Sequence, residues 1–158
     1  MSDFTGPGYY TIVARSVDKR LDLDGGKKTD GTKLQLYRKL DDATWGPDQQ
    51  FLFAYTGVVD EYLIINAKSG TYLTASGGDG TAQITGNLIP PREKRVRWKV
   101  KPVKDDSGAY YIYSVAYPAN VVDVRDNGTN DGTAIITFPK RPQGQNQQFF
   151  LRETTEQP

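Results

Sequence analysis

The chain of 158 residues contains no cysteine and no histidine. The first absence excludes disulfides, thiolate nucleophiles and cysteine-held metals. The second excludes imidazole general bases, Ser-His-Asp catalysis and the commonest zinc ligand. With ordinary pKa values no side chain then changes charge between about pH 5 and 8, so ligand binding is expected to be flat from about pH 5.5 to 8 and to fall only in acid. An excess of one charge is also missing: 20 Lys and Arg face 19 Asp and Glu. No global field therefore favours nucleic acid or an anionic membrane surface. No apolar run approaches the ~20 residues of a membrane span, so no membrane insertion is expected. The opening Met-Ser-Asp-Phe-Thr-Gly-Pro-Gly lacks the charged and apolar regions of a signal peptide. The corresponding expectation is a cytoplasmic or leaderless secreted protein. Helical periodicity is scarce as well, because Gly or Pro interrupts every amphipathic stretch of three turns.

What is present is a threefold repeat. Asp-Gly-Thr stands at 30–32, 79–81 and 131–133, at intervals of 49 and 52. Tyr10, Tyr62 and Tyr111 open three apolar stretches, and twelve residues later stand Asp22, Thr74 and Asp123. Each repeat closes on a similar signal: Gln49-Gln50-Phe51, Val96-Arg97-Trp98 and Gln147-Gln148-Phe149. The local pattern has period 2, as in Leu21-Asp22-Leu23 and Arg95 to Val100. Asp-Gly and Asn-Gly pairs, such as Asp24-Gly25 and Asn127-Gly128, supply the turns. About a dozen short strands in three groups of four predict a closed, all-β barrel with pseudo-threefold symmetry, the β-trefoil, because closure removes exposed edges. The length fits one domain over 1–158, with repeats near 8–56, 57–105 and 106–153. Phe51, Trp98 and Phe149 match by symmetry and are expected in the barrel core.

The three closing Gln-x-aromatic-type signals, with Val121 to Gly128 and Glu61 to Gly70, resemble the ricin-B-type (QxW) β-trefoil lectins. Within that family the likeness is to the fungal galactose/GalNAc agglutinins of the Boletus edulis and Sclerotinia sclerotiorum kind. The resemblance implies a sugar-binding protein that is not an enzyme, has no cofactor or metal, and binds galactose- or GalNAc-containing glycans and glycoproteins, as a homodimer. Each part of such a site has a physical reason. A carboxylate accepts hydrogen bonds from two neighbouring hydroxyls. An aromatic ring stacks on the sugar's C–H face, which is continuous in galactose because its 4-hydroxyl is axial. An Asn or Asp reaches a further hydroxyl, and a Gln orients the carboxylate.

Carried over by position, the first repeat supplies Asp22 as acceptor, Tyr37 as platform, Asp48 in the Asn place and Gln49 as orienting group. Gln35, two residues before the ring, shares its face. The third repeat supplies Asp123, Phe138, Asn146 and Gln147. The second repeat offers Thr74 for the carboxylate, Gly86 for the ring and Arg95-Val96 for the amides, so it is expected to be inactive or rebuilt. Structural readings stand beside these. Asp22 and Asp123 are also suited to capping the turns that follow them, and Trp45 either extends the first site or closes its loop. The basic residues from Arg92 to Lys101 alternate with Val96, Trp98 and Val100 and read as the outer face of a strand. The functional alternative is a β-trefoil protease inhibitor presenting the 24–30 loop with Lys27-Lys28.

Overall fold

The computed structural model describes residues 2–154. Met1 and residues 155–158, which the expected 1–158 domain includes, lie outside the described residues. Thirteen strands and no α-helix are found among them. The first group of four is β1 (Gly8–Ala14), β2 (Arg20–Leu23), β3 (Thr32–Tyr37) and β4 (Phe51–Tyr55). The second is β5 (Glu61–Asn66), β6 (Tyr72–Thr74), a split strand β7 (Ala82–Gln83) and β8 (Thr85–Asn87), and β9 (Arg97–Pro102). The third is β10 (Tyr110–Ser114), β11 (Asn120–Val124), β12 (Ile135–Pro139) and β13 (Phe149–Glu153).

First and last strands of each repeat close into a six-stranded ring. β1 pairs with β13 and β4, β5 with β4 and β9, and β10 with β9 and β13. The middle strands make three hairpins, β2–β3, β6–β8 and β11–β12, that cap one end. They join one another through β3–β8, β7–β12 and a bridge between Gln35 and Ala134. Among the described residues the pairing leaves only the two-residue β7 with a single strand neighbour, which keeps open edges short. Phe51, Trp98 and Phe149 are fully buried in one core. The opposite end of the ring is plugged by Phe4, whose ring lies 5.1–5.7 Å from those of Tyr10, Phe53, Tyr62 and Tyr110.

The strand registers correct one reading. Asp22, Thr74 and Asp123 lie opposite Gln35, Thr85 and Ile136, while Tyr37 and Phe138 lie opposite Arg20 and Val121. The second-repeat residue in the ring's place faces Tyr72, and it is Asn87 rather than Gly86. The cause is one additional residue after Asp79-Gly80-Thr81, which splits the strand at Ile84 and frees Gln83 from the repeat pattern. Gln83 uses that freedom: its Nε2 lies 2.8 Å from the carbonyl oxygens of Leu34, Ile84 and Ile135, one from each repeat. An amide nitrogen has two protons for three acceptors, so one is shared. The basic segment is also refined, since residues 94–96 form a 3-10 turn and β9 begins at Arg97. Val96, Trp98 and Val100 are buried as expected, and Arg95 and Arg97 are paired with Glu93 and Glu61.

Gln83→Ala should lower unfolding stability by about 1–2 kcal/mol, the usual value of a buried amide donor. Gln83→Glu should cost more than Gln83→Ala, because it aims a carboxylate at three carbonyl oxygens. Urea melts of the three proteins check the order. Equal stability of the Glu and Ala variants contradicts the assignment of Gln83 as the donor on the axis.

Candidate functional site

Asp22 is placed by alternation on β2, between the core residues Leu21 and Leu23 and opposite Gln35 on β3. Gln49 reaches it from the 3-10 turn Gly46–Gln49 that precedes β4. Its Nε2 donates to Asp22 Oδ2 at 2.9 Å and to the Arg38 carbonyl at 2.8 Å, while its Oε1 accepts from Leu40 N at 2.9 Å. Gln35 Nε2 donates to Asp22 Oδ1 at 3.3 Å. Asp22 therefore caps no turn; its bonds go to side-chain amides. It is also only 2% exposed.

That burial changes its chemistry. Loss of water around the carboxylate raises its pKa from the usual 3.8 to about 6, against the lowering effect of Gln49 and Gln35, and Asp48 and Asp24 push it further up. The expectation of flat binding from about pH 5.5 to 8 rests on ordinary carboxylate pKa values, and burial removes that premise for Asp22. Asp48 and Asp123 are also held above their ordinary value, chiefly by burial.

Asp22 lines an open cleft of about 400 Å³ together with Asp24, Gln35, Tyr37, Trp45 and Asp48. Tyr37 is half-buried on the rim, as a stacking platform requires. Its neighbour Arg38 lies 5.5 Å from the Tyr37 ring centre and is drawn outward by Asp131, which accepts from Arg38 N at 2.9 Å. Asp48 shares the cleft, but its carboxylate turns to Lys68, with Nζ 3.4 Å from Oδ1. It packs against the backbone of Gly26, where a β-carbon would collide with both Asp48 and Lys68. Gly26 takes φ +58°; the third repeat places Asn127 there at φ +53°, with no carboxylate opposite. The positive φ expected near Asn127-Gly128 thus falls on Asp126 and Asn127, not on Gly128.

The third repeat brings Asp123, Asn146 and Gln147 together in the same way. Gln147 Nε2 donates to Asp123 Oδ2 at 2.9 Å and to the Pro139 carbonyl at 3.0 Å. Asn146 Nδ2 donates to Val124 O at 3.0 Å and to Asp123 Oδ1 at 3.4 Å. Phe138, the ring, is half-buried. Here, however, Arg141 lies across the constellation. Its guanidinium is 5.1 Å from the Phe138 ring centre and 3.5 Å from Asp123 Oδ2, so both acceptor and platform already have a partner. The first-repeat residue in the same place is Leu40, since the backbone N–H groups of Leu40 and Arg141 bond to Gln49 and Gln147 alike. Lack of an arginine there leaves the first cleft open.

The second repeat has neither part. Thr74 bonds to the Tyr72 carbonyl, and Asn87 accepts from Gly31 N at 2.9 Å and donates to Thr85 Oγ1 at 2.7 Å. Its polar groups are spent within the protein. Sequence reasoning did not find Lys68, Asp24 or Arg141; the signal for Arg141 was its equivalence to Leu40, each standing three residues after the ring of its repeat.

Comparison with known proteins follows the same lines. The family described as ricin-type beta-trefoil lectin domain-like matches residues 47–138, more than half of the chain. An agglutinin of Sclerotinia sclerotiorum is 27% identical over 156 residues, which cover 94% of this chain and 97% of the relative. The crystal structure of the Rhizoctonia solani agglutinin superposes with a TM-score of 0.82 at 22% identity, covering 98% of this chain and 100% of the other. A Macrolepiota procera ricin B-like lectin, solved in complex with lactose, superposes with a TM-score of 0.74 at 18% identity, covering 97% and 100%. With its closed strand ring and three capping hairpins, the chain belongs to the ricin-type β-trefoil lectins, a family of carbohydrate-binding proteins.

Proposed function

We propose that the protein recognises galactose- and GalNAc-type glycans, with its open site in the first repeat and a second, arginine-covered site in the third. The observation that carries this reading is a buried carboxylate, Asp22, held by two amides at the floor of a cleft whose rim bears Tyr37. Such a carboxylate accepts hydrogen bonds from two vicinal hydroxyls while the ring takes the C–H face below an axial 4-hydroxyl. In the third repeat a sugar must displace Arg141 from Phe138 and Asp123. A lectin of the same fold holds lactose, a galactoside, which agrees with this choice of sugar. One open site with a single platform binds at roughly 0.1–1 mM; useful avidity then comes from two sites per chain and from a homodimer.

Inhibition of binding to an asialoglycoprotein surface tests the specificity. Lactose, galactose and GalNAc should inhibit, and glucose and mannose should not. Inhibition by mannose alone overturns the reading.

The raised pKa of Asp22 sets two further expectations. Affinity should fall about tenfold between pH 7.5 and pH 5, because roughly one carboxyl in ten stays ionised a unit below its pKa. Stability runs the other way. Between about pH 4 and 6 the folded chain holds a proton on Asp22 that the unfolded chain has released, so the stability due to the protonated form is lost as pH rises through 6. Asp22→Asn keeps an acceptor for Gln49 and removes the buried charge. At pH 7.5 it should bind lactose at least tenfold more weakly yet unfold at higher urea, by on the order of 2 kcal/mol, with the difference vanishing near pH 4. A less stable Asn variant at pH 7.5 means the carboxylate is structural.

A further inference from the structure

The loop that carries Trp45 has no counterpart in the third repeat. Gln49 lies nine positions after Leu40, whereas Gln147 lies six after Arg141. The longer loop is held firmly. Asp42 Oδ1 accepts from Thr44 N at 3.0 Å and Trp45 N at 2.8 Å, and Asp42 O accepts from Gly46 N at 2.8 Å. Pro47 then stands in the first turn of the 3-10 segment Gly46–Gln49 that delivers Asp48 and Gln49.

An indole placed by this much backbone bonding would be buried if its role were to close the loop. Instead Trp45 is 48% exposed and borders the cleft that contains Asp22 and Tyr37. One of its faces is occupied by Lys68, which arrives from the second repeat. Lys68 Nζ lies 4.6 Å from the ring centre, donates to the Thr44 carbonyl at 3.0 Å and sits 3.4 Å from Asp48 Oδ1. A cation over an indole face, neutralised behind by a buried carboxylate, fixes the ring's tilt. A cleft of about 400 Å³ walled by two aromatic residues falls in the range that accommodates ligands of more than one ring.

We propose that Trp45 is the platform of a second sugar subsite in the first-repeat cleft, with Lys68 as its positioning residue. The first repeat then selects a galactose-terminated disaccharide over a single hexose. Asp22 and Tyr37 hold the terminal galactose, and the C–H face of the next ring lies on Trp45. This inference rests on the galactoside reading of the cleft.

Calorimetric titration with methyl β-galactoside and with lactose separates the two claims. The wild type should bind lactose about tenfold more tightly than the monosaccharide, the gain expected from covering one further apolar ring face. Trp45→Ala should bring the lactose-to-monosaccharide ratio close to one, and Trp45→Phe should retain part of it. Lys68→Met should lower the ratio and Lys68→Arg should preserve it, since the guanidinium keeps the charge over the indole. A wild type that binds both sugars equally, or a Trp45→Ala ratio equal to that of the wild type, overturns the subsite and leaves the galactoside reading standing. A wild type that binds neither sugar overturns both.

Discussion

The bond from a closing glutamine to a buried aspartate ties each active-type repeat together. Gln49 to Asp22 and Gln147 to Asp123 are both 2.9 Å long, and both glutamines also bond to the backbone of the strand end nearby. Each pair fastens a capping hairpin to the turn that returns the chain to the barrel. In the first repeat the same pair holds a carboxylate, with oxygens fixed, in the lining of the open cleft. In the second repeat Thr74 and Val96 stand in the two places, and the fastening is made differently: Trp98 Nε1 donates to the Leu73 carbonyl at 2.9 Å. An indole N–H to a carbonyl supports the hairpin as well but leaves no acceptor for a ligand. The architecture thus tolerates loss of the carboxylate, and its presence twice calls for another reason. A charge held where burial opposes ionisation weakens the fold at neutral pH, which fits a binding role.

Near-threefold symmetry makes the differences between repeats informative. The first site is open because Leu40 stands where the third repeat has Arg141, and because a longer loop adds Trp45 without covering Tyr37. Both rings have an arginine close by, but the charges that hold these arginines differ. Arg38 lines the first cleft and pairs with Asp131, which is not part of the lining, whereas Arg141 pairs with Asp123. The second pairing occupies the Asp123 carboxylate from the solvent side, with the Arg141 side chain itself half exposed.

Much of this was legible in the sequence because it depends on local pattern. Equal spacing of Asp-Gly-Thr, the tyrosines and the closing aromatics marks three equivalent units, and period 2 marks strands. The core positions of Phe51, Trp98 and Phe149 follow from that, and the company of Asp22 with Gln35 and Gln49 from the resemblance to the lectin family. What was not legible depends on contacts between repeats. One additional residue after Asp79-Gly80-Thr81 shifts the second-repeat register, with Gln83 turned onto carbonyls of all three repeats, so Asn87 takes the place that spacing gave to Gly86. Lys68 reaches Trp45 from the neighbouring repeat. The pKa of Asp22 depends on its depth and on Asp24 and Asp48, none of which residue type alone conveys.

The central claim is that a galactoside sits on Asp22 between Tyr37 and Trp45. A crystal structure of the protein soaked with lactose tests it most directly. The account predicts the galactose ring against Tyr37, with its 3- and 4-hydroxyls within hydrogen-bonding distance of the Asp22 carboxylate. Lactose bound elsewhere, with the first-repeat cleft holding only water, contradicts it.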